Sequence, residues 1–150
     1  MRFLCLLMLL TGTALAEDKP KAIELKVPPL PPSTDELLTA DVSAAKWSPQ
    51  DKLGAGVQSA LIGYDPMSTD TTGWVKLPGG NKIVEHSATH HVHYVLIAGR
   101  GSFSIAGKAR PIAAGSYTVV PSKTKHGFSC DKGAECLFVV RHSGPPDVNL

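Results

Sequence analysis

All six histidines of this chain lie between His86 and His142, and four of them, His86, His90, His91 and His93, fall within eight residues. His126 stands five residues after Pro121, and His142 follows Arg141 at the end of an apolar run. Imidazole is the commonest protein metal ligand and the side chain that titrates nearest neutral pH. A segment this rich in it is where the chain is equipped for chemistry. A cluster of this kind is a candidate ligand set for a divalent metal. Glu85 neighbours His86 and, on an extended chain, faces the other side. Cys130 shares His126's face but lies about 13 Å further along a strand, too far for a common metal. Other catalytic signatures are absent. Gly99-Arg-Gly101-Ser-Phe-Ser lacks the third glycine of a dinucleotide loop, and no Gly-x-Ser-x-Gly elbow occurs.

The elements that must position these residues read as strands. From Asp41 onward the chain consists of short apolar segments cut by turn residues. The spacing predicts strands over Val42–Trp47, Val57–Ile62, Gly73–Leu77, Lys82–Ser87, Val92–Ile97, Ser102–Ile105, Tyr117–Val120, Lys125–Ser129 and Leu137–Arg141. The punctuation is Asp65-Pro66, Pro78-Gly79-Gly80-Asn81, Gly99-Arg100-Gly101, Gly107 and Ala114-Gly115. Short strands at regular spacing, without intervening helices, predict an all-β antiparallel sandwich or barrel. His93 beside Tyr94 reads as a partly buried sheet residue or a contact to another copy, and His142 reads as a surface residue.

Ahead of the strands, the chain divides by composition. Residues 1–16 carry Arg2, an apolar run from Phe3 to Leu10 and the small-x-small site Ala14-Leu15-Ala16, the pattern of a cleaved signal peptide. Residues 17–40 read as a linker with a short helix. Pro28-Pro29-Leu30-Pro31-Pro32 favours a stiff polyproline tether, and Ser33 with Glu36 forms a capping box that opens a helix through Leu37-Leu38. Residues 41–145 hold the β-domain, and 146–150 read as a loosely docked tail. The leader predicts export to a periplasmic or secreted location. No later apolar run is long enough to span a bilayer, so the processed chain is expected to make no stable membrane insertion. A formal net charge of +2 without a Lys/Arg cluster argues against nucleic acid as a partner. An oxidising compartment preserves disulfides. Cys130 and Cys136 flank the turn-like Asp131-Lys132-Gly133-Ala134-Glu135 between β-like segments. They are expected to bond across a hairpin.

With these pieces in place, the β-domain resembles the cupin family. Gly80, five residues, then His86 matches the start of that family's first motif, and Gly99 its end. Gly115, Ser-Tyr-Thr-Val-Val, Pro121 and then His126 match the second, with Lys123 where the family has Gly. The lead Lys76-Leu77-Pro78-Gly79-Gly80 and the run Val95-Leu96-Ile97-Ala98-Gly99-Arg100-Gly101 also fit. The resemblance covers roughly residues 41–145 and implies a jelly-roll β-barrel (a double-stranded β-helix) that pairs into homodimers and binds a small-molecule ligand.

It also implies a site of three imidazoles and a carboxylate on one divalent metal (Fe, Mn, Zn, Cu or Ni) serving an oxygenase or isomerase. Carried over residue by residue, that set is incomplete. His86 matches the first histidine and His126 the third, while Ala88 stands at the second and Val92 at the glutamate. Three readings stay open on the sequence. His90 or His91 could complete a relocated metal site with His86 and His126. The barrel could instead be a metal-free, non-catalytic pocket with Ala88 and Val92 as core. Or His90, His91 and His93 could form a surface patch that picks up metal loosely.

Overall fold

Alternation builds the two central strands. In Val92-His-Tyr-Val-Leu-Ile-Ala98, Val92, Tyr94 and Leu96 are buried and the residues between them are not. In Cys136-Leu-Phe-Val-Val-Arg-His142, Cys136, Phe138 and Val140 are buried in the same rhythm. Successive side chains of a strand point to opposite faces, so each segment has one core face. The computed structural model describes residues 40–150 and the strand Ile23–Glu24. The expected signal segment and the capped helix after Ser33 lie outside the described residues.

The strands in chain order are β1 (Ile23–Glu24), β2 (Ser48–Pro49), β3 (Gln58–Tyr64), β4 (Thr71–Leu77), β5 (Lys82–His86) and β6 (Val92–Ala98). They continue with β7 (Arg100–Ile105), β8 (Lys108–Ala113), β9 (Tyr117–Val120), β10 (His126–Cys130), β11 (Cys136–His142) and β12 (Asp147–Val148). Two antiparallel sheets carry the fold, β2–β3–β4–β11–β6–β9 and β5–β10–β7–β8. Together they form the jelly roll that the resemblance implied. Among the described residues no helix is long and apolar enough to cross a membrane.

The core lies between the sheets. Phe138, Leu77, Leu96, Val57, Val92 and Val120 are almost wholly enclosed. Phe128 and Phe138 meet edge to face with centroids 4.8 Å apart, and Tyr94 packs edge-on against both Phe103 at 5.2 Å and Phe138 at 6.1 Å. Such pairs add stabilisation beyond the area they bury. Gly99 makes the turn from β6 to β7 at a φ of 86°, and a Cβ there would lie 2.7 Å from the Cys136 sulfur, so the turn admits only glycine.

Three expectations need correction. Val42–Trp47 is not a strand: Val42–Ala44 forms a 3-10 turn capped by Asp41, whose carboxylate accepts a hydrogen bond from the Ser43 amide at 2.7 Å. A cap of this kind offers the backbone a local alternative to the sheet. The C-terminal segment is not loose, because β12 pairs with β1 and Asn149 bridges Ser87 through two backbone hydrogen bonds of 2.8 Å. The two cysteines are bonded as expected, but β10 and β11 belong to different sheets, so Cys130–Cys136 is no hairpin bridge. It ties one sheet to the other at the point where residues 131–135 cross over.

Removing that bond is expected to leave the fold intact but less stable. The short loop limits the chain-entropy contribution to about 2–2.5 kcal/mol. Cys136→Ser should therefore melt earlier by a matching amount in urea or heat, and thiol titration of the oxidised wild type should find neither cysteine free. Two titratable thiols in the folded oxidised protein would contradict the bond.

Candidate functional site

His86 ends β5 and His126 begins β10, and the two are register partners on neighbouring strands. Both side chains point inward, His86 with 5% and His126 with 1% of its surface exposed. Their ring centroids are 4.3 Å apart. Each ring is oriented by its own strand: Nδ1–H of His86 donates to the Val84 carbonyl and Nδ1–H of His126 to the Thr124 carbonyl, both at 2.9 Å. A carbonyl can only accept, so in both rings the proton sits on Nδ1 and Nε2 carries the lone pair. Tyr94, reaching across from β6 in the other sheet, donates its hydroxyl to Nε2 of His126 at 2.7 Å. Nε2 of His86 has no such partner among the described residues, and the residue lines the cavity described below.

Neutral rings suit this enclosure. Burial lowers the pKa of His86, partly offset by the Val84 carbonyl. Burial, with His86 nearby, pushes His126 down to about 4. Burial drives the Tyr94 hydroxyl well above its ordinary range, so it stays protonated and able to donate.

His142, expected at the surface, turns inward from the end of β11. Burial is the main cause that lowers its pKa to about 4, with Asp147 opposing and His86 and His90 assisting. Among the described residues its Nδ1 is enclosed and has no hydrogen-bond partner. A buried polar atom of this kind normally finds one. His142, His86 and Tyr94 line a cavity of about 100 Å³ whose other walls include Leu53, Trp74, Val75, Ile83, Val140 and Val148. Gln50, Ser59 and Thr71 supply its remaining polar side chains. Among the described residues, no Lys, Arg, Asp or Glu lines it.

The remaining expected site residues lie elsewhere. His90 stacks on Gly144, where an added Cβ would sit 2.8 Å from its ring. His91 is exposed, and its carbonyl accepts from the Ser143 amide. His93 is on the outer face of β6, hydrogen-bonded to the Tyr117 hydroxyl. Ala88 and Val92, at the family's second-histidine and glutamate positions, are core residues with 3% and 1% exposure. Among the described residues, no three His, Cys, Asp or Glu side chains converge as a metal-holding group. The donors on hand are two imidazoles and a protonated phenol, which do not reproduce three imidazoles and a carboxylate.

Sequence reasoning passed over Tyr94 and placed His142 at the surface. The signal for both was strand parity. Tyr94 shares the core face of Val92 and Leu96, and His142 the face of Cys136, Phe138 and Val140.

The comparisons agree with this architecture. No curated protein matches the sequence. Among solved structures, the polyketide cyclase RemF from Streptomyces resistomycificus is 15% identical with a TM-score of 0.63, covering 77% of this chain and 86% of its own. A predicted oxalate decarboxylase from Thermotoga maritima is 20% identical with a TM-score of 0.61, covering 75% and 98%. The complex of Rhodobacter sphaeroides SigE with the anti-sigma ChrR gives 16% identity and a TM-score of 0.57, covering 68% of this chain and 50% of that one. These likenesses concern the fold. The sequence itself matches the ChrR cupin-like domain over residues 35–144, and the chain belongs to that cupin family.

Proposed function

We propose that this protein is an exported cupin that binds a small molecule in its barrel, held at the polar end by His86, Tyr94 and His142. The observation that carries the reading is an apolar, partly enclosed cavity with a few convergent hydrogen-bonding groups, the ordinary form of a small-molecule site. Export is supported by the leader pattern of residues 1–16 and by the Cys130–Cys136 bond, which persists in oxidising compartments.

A second reading keeps a divalent metal on His86 and His126. What favours it is the anchoring of both Nδ1–H groups on carbonyls, the arrangement that orients metal-binding histidines. In that reading the metal supplies the Lewis-acid chemistry of an oxygenase or isomerase. The residues of this chain hold it and exclude water with Phe103, Phe138 and Tyr94.

Elemental analysis and calorimetric titration with Zn, Mn and Ni separate the two. The pocket reading expects no stoichiometric metal and weak titration, unchanged by His90→Ala or His91→Ala. Ala88→His with Val92→Glu should then strengthen binding by roughly 100-fold or more, since it restores a four-ligand set. Stoichiometric metal in the wild type, lost in His86→Ala, would establish the second reading instead.

A further inference from the structure

We infer that the cavity takes an uncharged, hydroxyl-bearing molecule about the size of a single ring, whose hydroxyl donates a hydrogen bond to Nε2 of His86. The inference rests on the pocket reading above and names the class of its occupant.

Charge is the first argument. No ionised side chain among the described residues lines the cavity. A carboxylate or ammonium placed there would lose its hydration and meet no counter-charge, which is strongly unfavourable. The ligand is therefore neutral.

Hydrogen-bond polarity is the second. Nδ1–H of His86 is committed to the Val84 carbonyl, so its Nε2 can only accept. The neighbouring acceptor, Nε2 of His126, is already filled by Tyr94. Among the imidazole nitrogens of the pair, Nε2 of His86 is thus the acceptor left without a donor among the described residues. A ketone, ether or ester brings none. A hydroxyl supplies that donor without carrying a charge, whereas an ammonium brings a charge and an ether has no donor.

Size is the third. The cavity measures about 100 Å³, and a dry protein cavity of about 150 Å³ accommodates benzene. A six-membered ring fits with modest breathing of the walls, and its carbon face would lie against Leu53, Val75, Ile83 and Val140.

The test is ligand-observed NMR with calorimetry at neutral pH in the presence of chelator, using phenol, cyclohexanol, anisole, benzoate and benzylamine. Phenol and cyclohexanol are expected to bind. Anisole, which keeps the ring but loses the donor, should bind about tenfold more weakly. Benzoate and benzylamine should show no binding at millimolar concentration. His86→Phe should erase the preference for phenol over anisole, and Val140→Trp should fill the cavity and abolish binding of both. Should either variant fail to fold, the phenol–anisole comparison in the wild type still decides. Benzoate or benzylamine binding as tightly as phenol overturns the neutral class, and equal binding of anisole and phenol overturns the hydroxyl. Both of those results leave the pocket reading standing. Binding of none of the five overturns this inference, and the pocket reading falls as well only when a broader fragment screen yields no ligand sensitive to Val140→Trp.

Discussion

Acidification from pH 7 to pH 4.5 is expected to strip about 2 kcal/mol from the stability of the metal-free protein through His126 alone. Burial and the neighbouring His86 push the pKa of His126 down to about 4 in the fold, whereas an unfolded-chain histidine titrates near 6.5. Between these two values the unfolded chain takes up a proton that the native ring refuses. The contribution is thus fully present above pH 6.5 and is lost as the pH falls toward about 4. His142, also lowered to about 4, adds in the same direction. Urea unfolding at pH 7 and pH 4.5 with chelator present measures the effect, and His126→Gln should flatten the profile. A midpoint that does not move across this window would show that the pair is not held neutral by burial.

The largest single packing loss is expected at Phe138. Its side chain is 1% exposed and stands between the sheets, edge-on to Phe128 and within aromatic contact of Tyr94. Phe138→Ala removes a ring whose space the two sheets cannot close, a change that costs about 3–5 kcal/mol. Tyr94 loses a wall in the process, so its hydrogen bond to His126 should loosen as well. Chemical denaturation reads the first effect. A change in the Tyr94 environment by NMR or near-ultraviolet circular dichroism reads the second. A loss below about 1 kcal/mol would mean that the core closes around the vacancy.

The sequence disclosed most strands because most are half-buried. Val92–Ala98 and Cys136–His142 alternate cleanly, and Tyr117–Val120 was delimited to the residue. Lys108–Ala113 escaped because it is an edge strand, largely exposed along its length, with Pro111 in its middle. An edge needs no alternation and tolerates proline. The pairing of β1 with β12 was equally invisible, since two-residue strands carry no periodicity. At the site, motif spacing brought out His86 and His126, which register pairing then joined. The clustering of His90 and His91 drew attention by composition, yet neither closes a metal-holding group with that pair among the described residues. Tyr94 and His142 belong to no motif. Their roles arise from the meeting of two sheets, which only strand parity hints at.

The placement of the disulfide has a mechanical consequence. β10 begins at His126 and ends at Cys130, while β11 begins at Cys136 and ends at His142. The covalent tie and the imidazoles therefore occupy opposite ends of the same two strands. A sandwich clasped at one end parts more readily at the other. There, noncovalent contacts hold the rim: Asp147 on Thr89 at 2.9 and 2.6 Å, and the Ser87–Asn149 bridge. Local opening follows the least-braced contacts. For the proposed small-molecule site, exchange is then expected to follow fraying of the last few residues while the clasped end keeps the sheets in register, which sets the rate of entry apart from the stability of the fold.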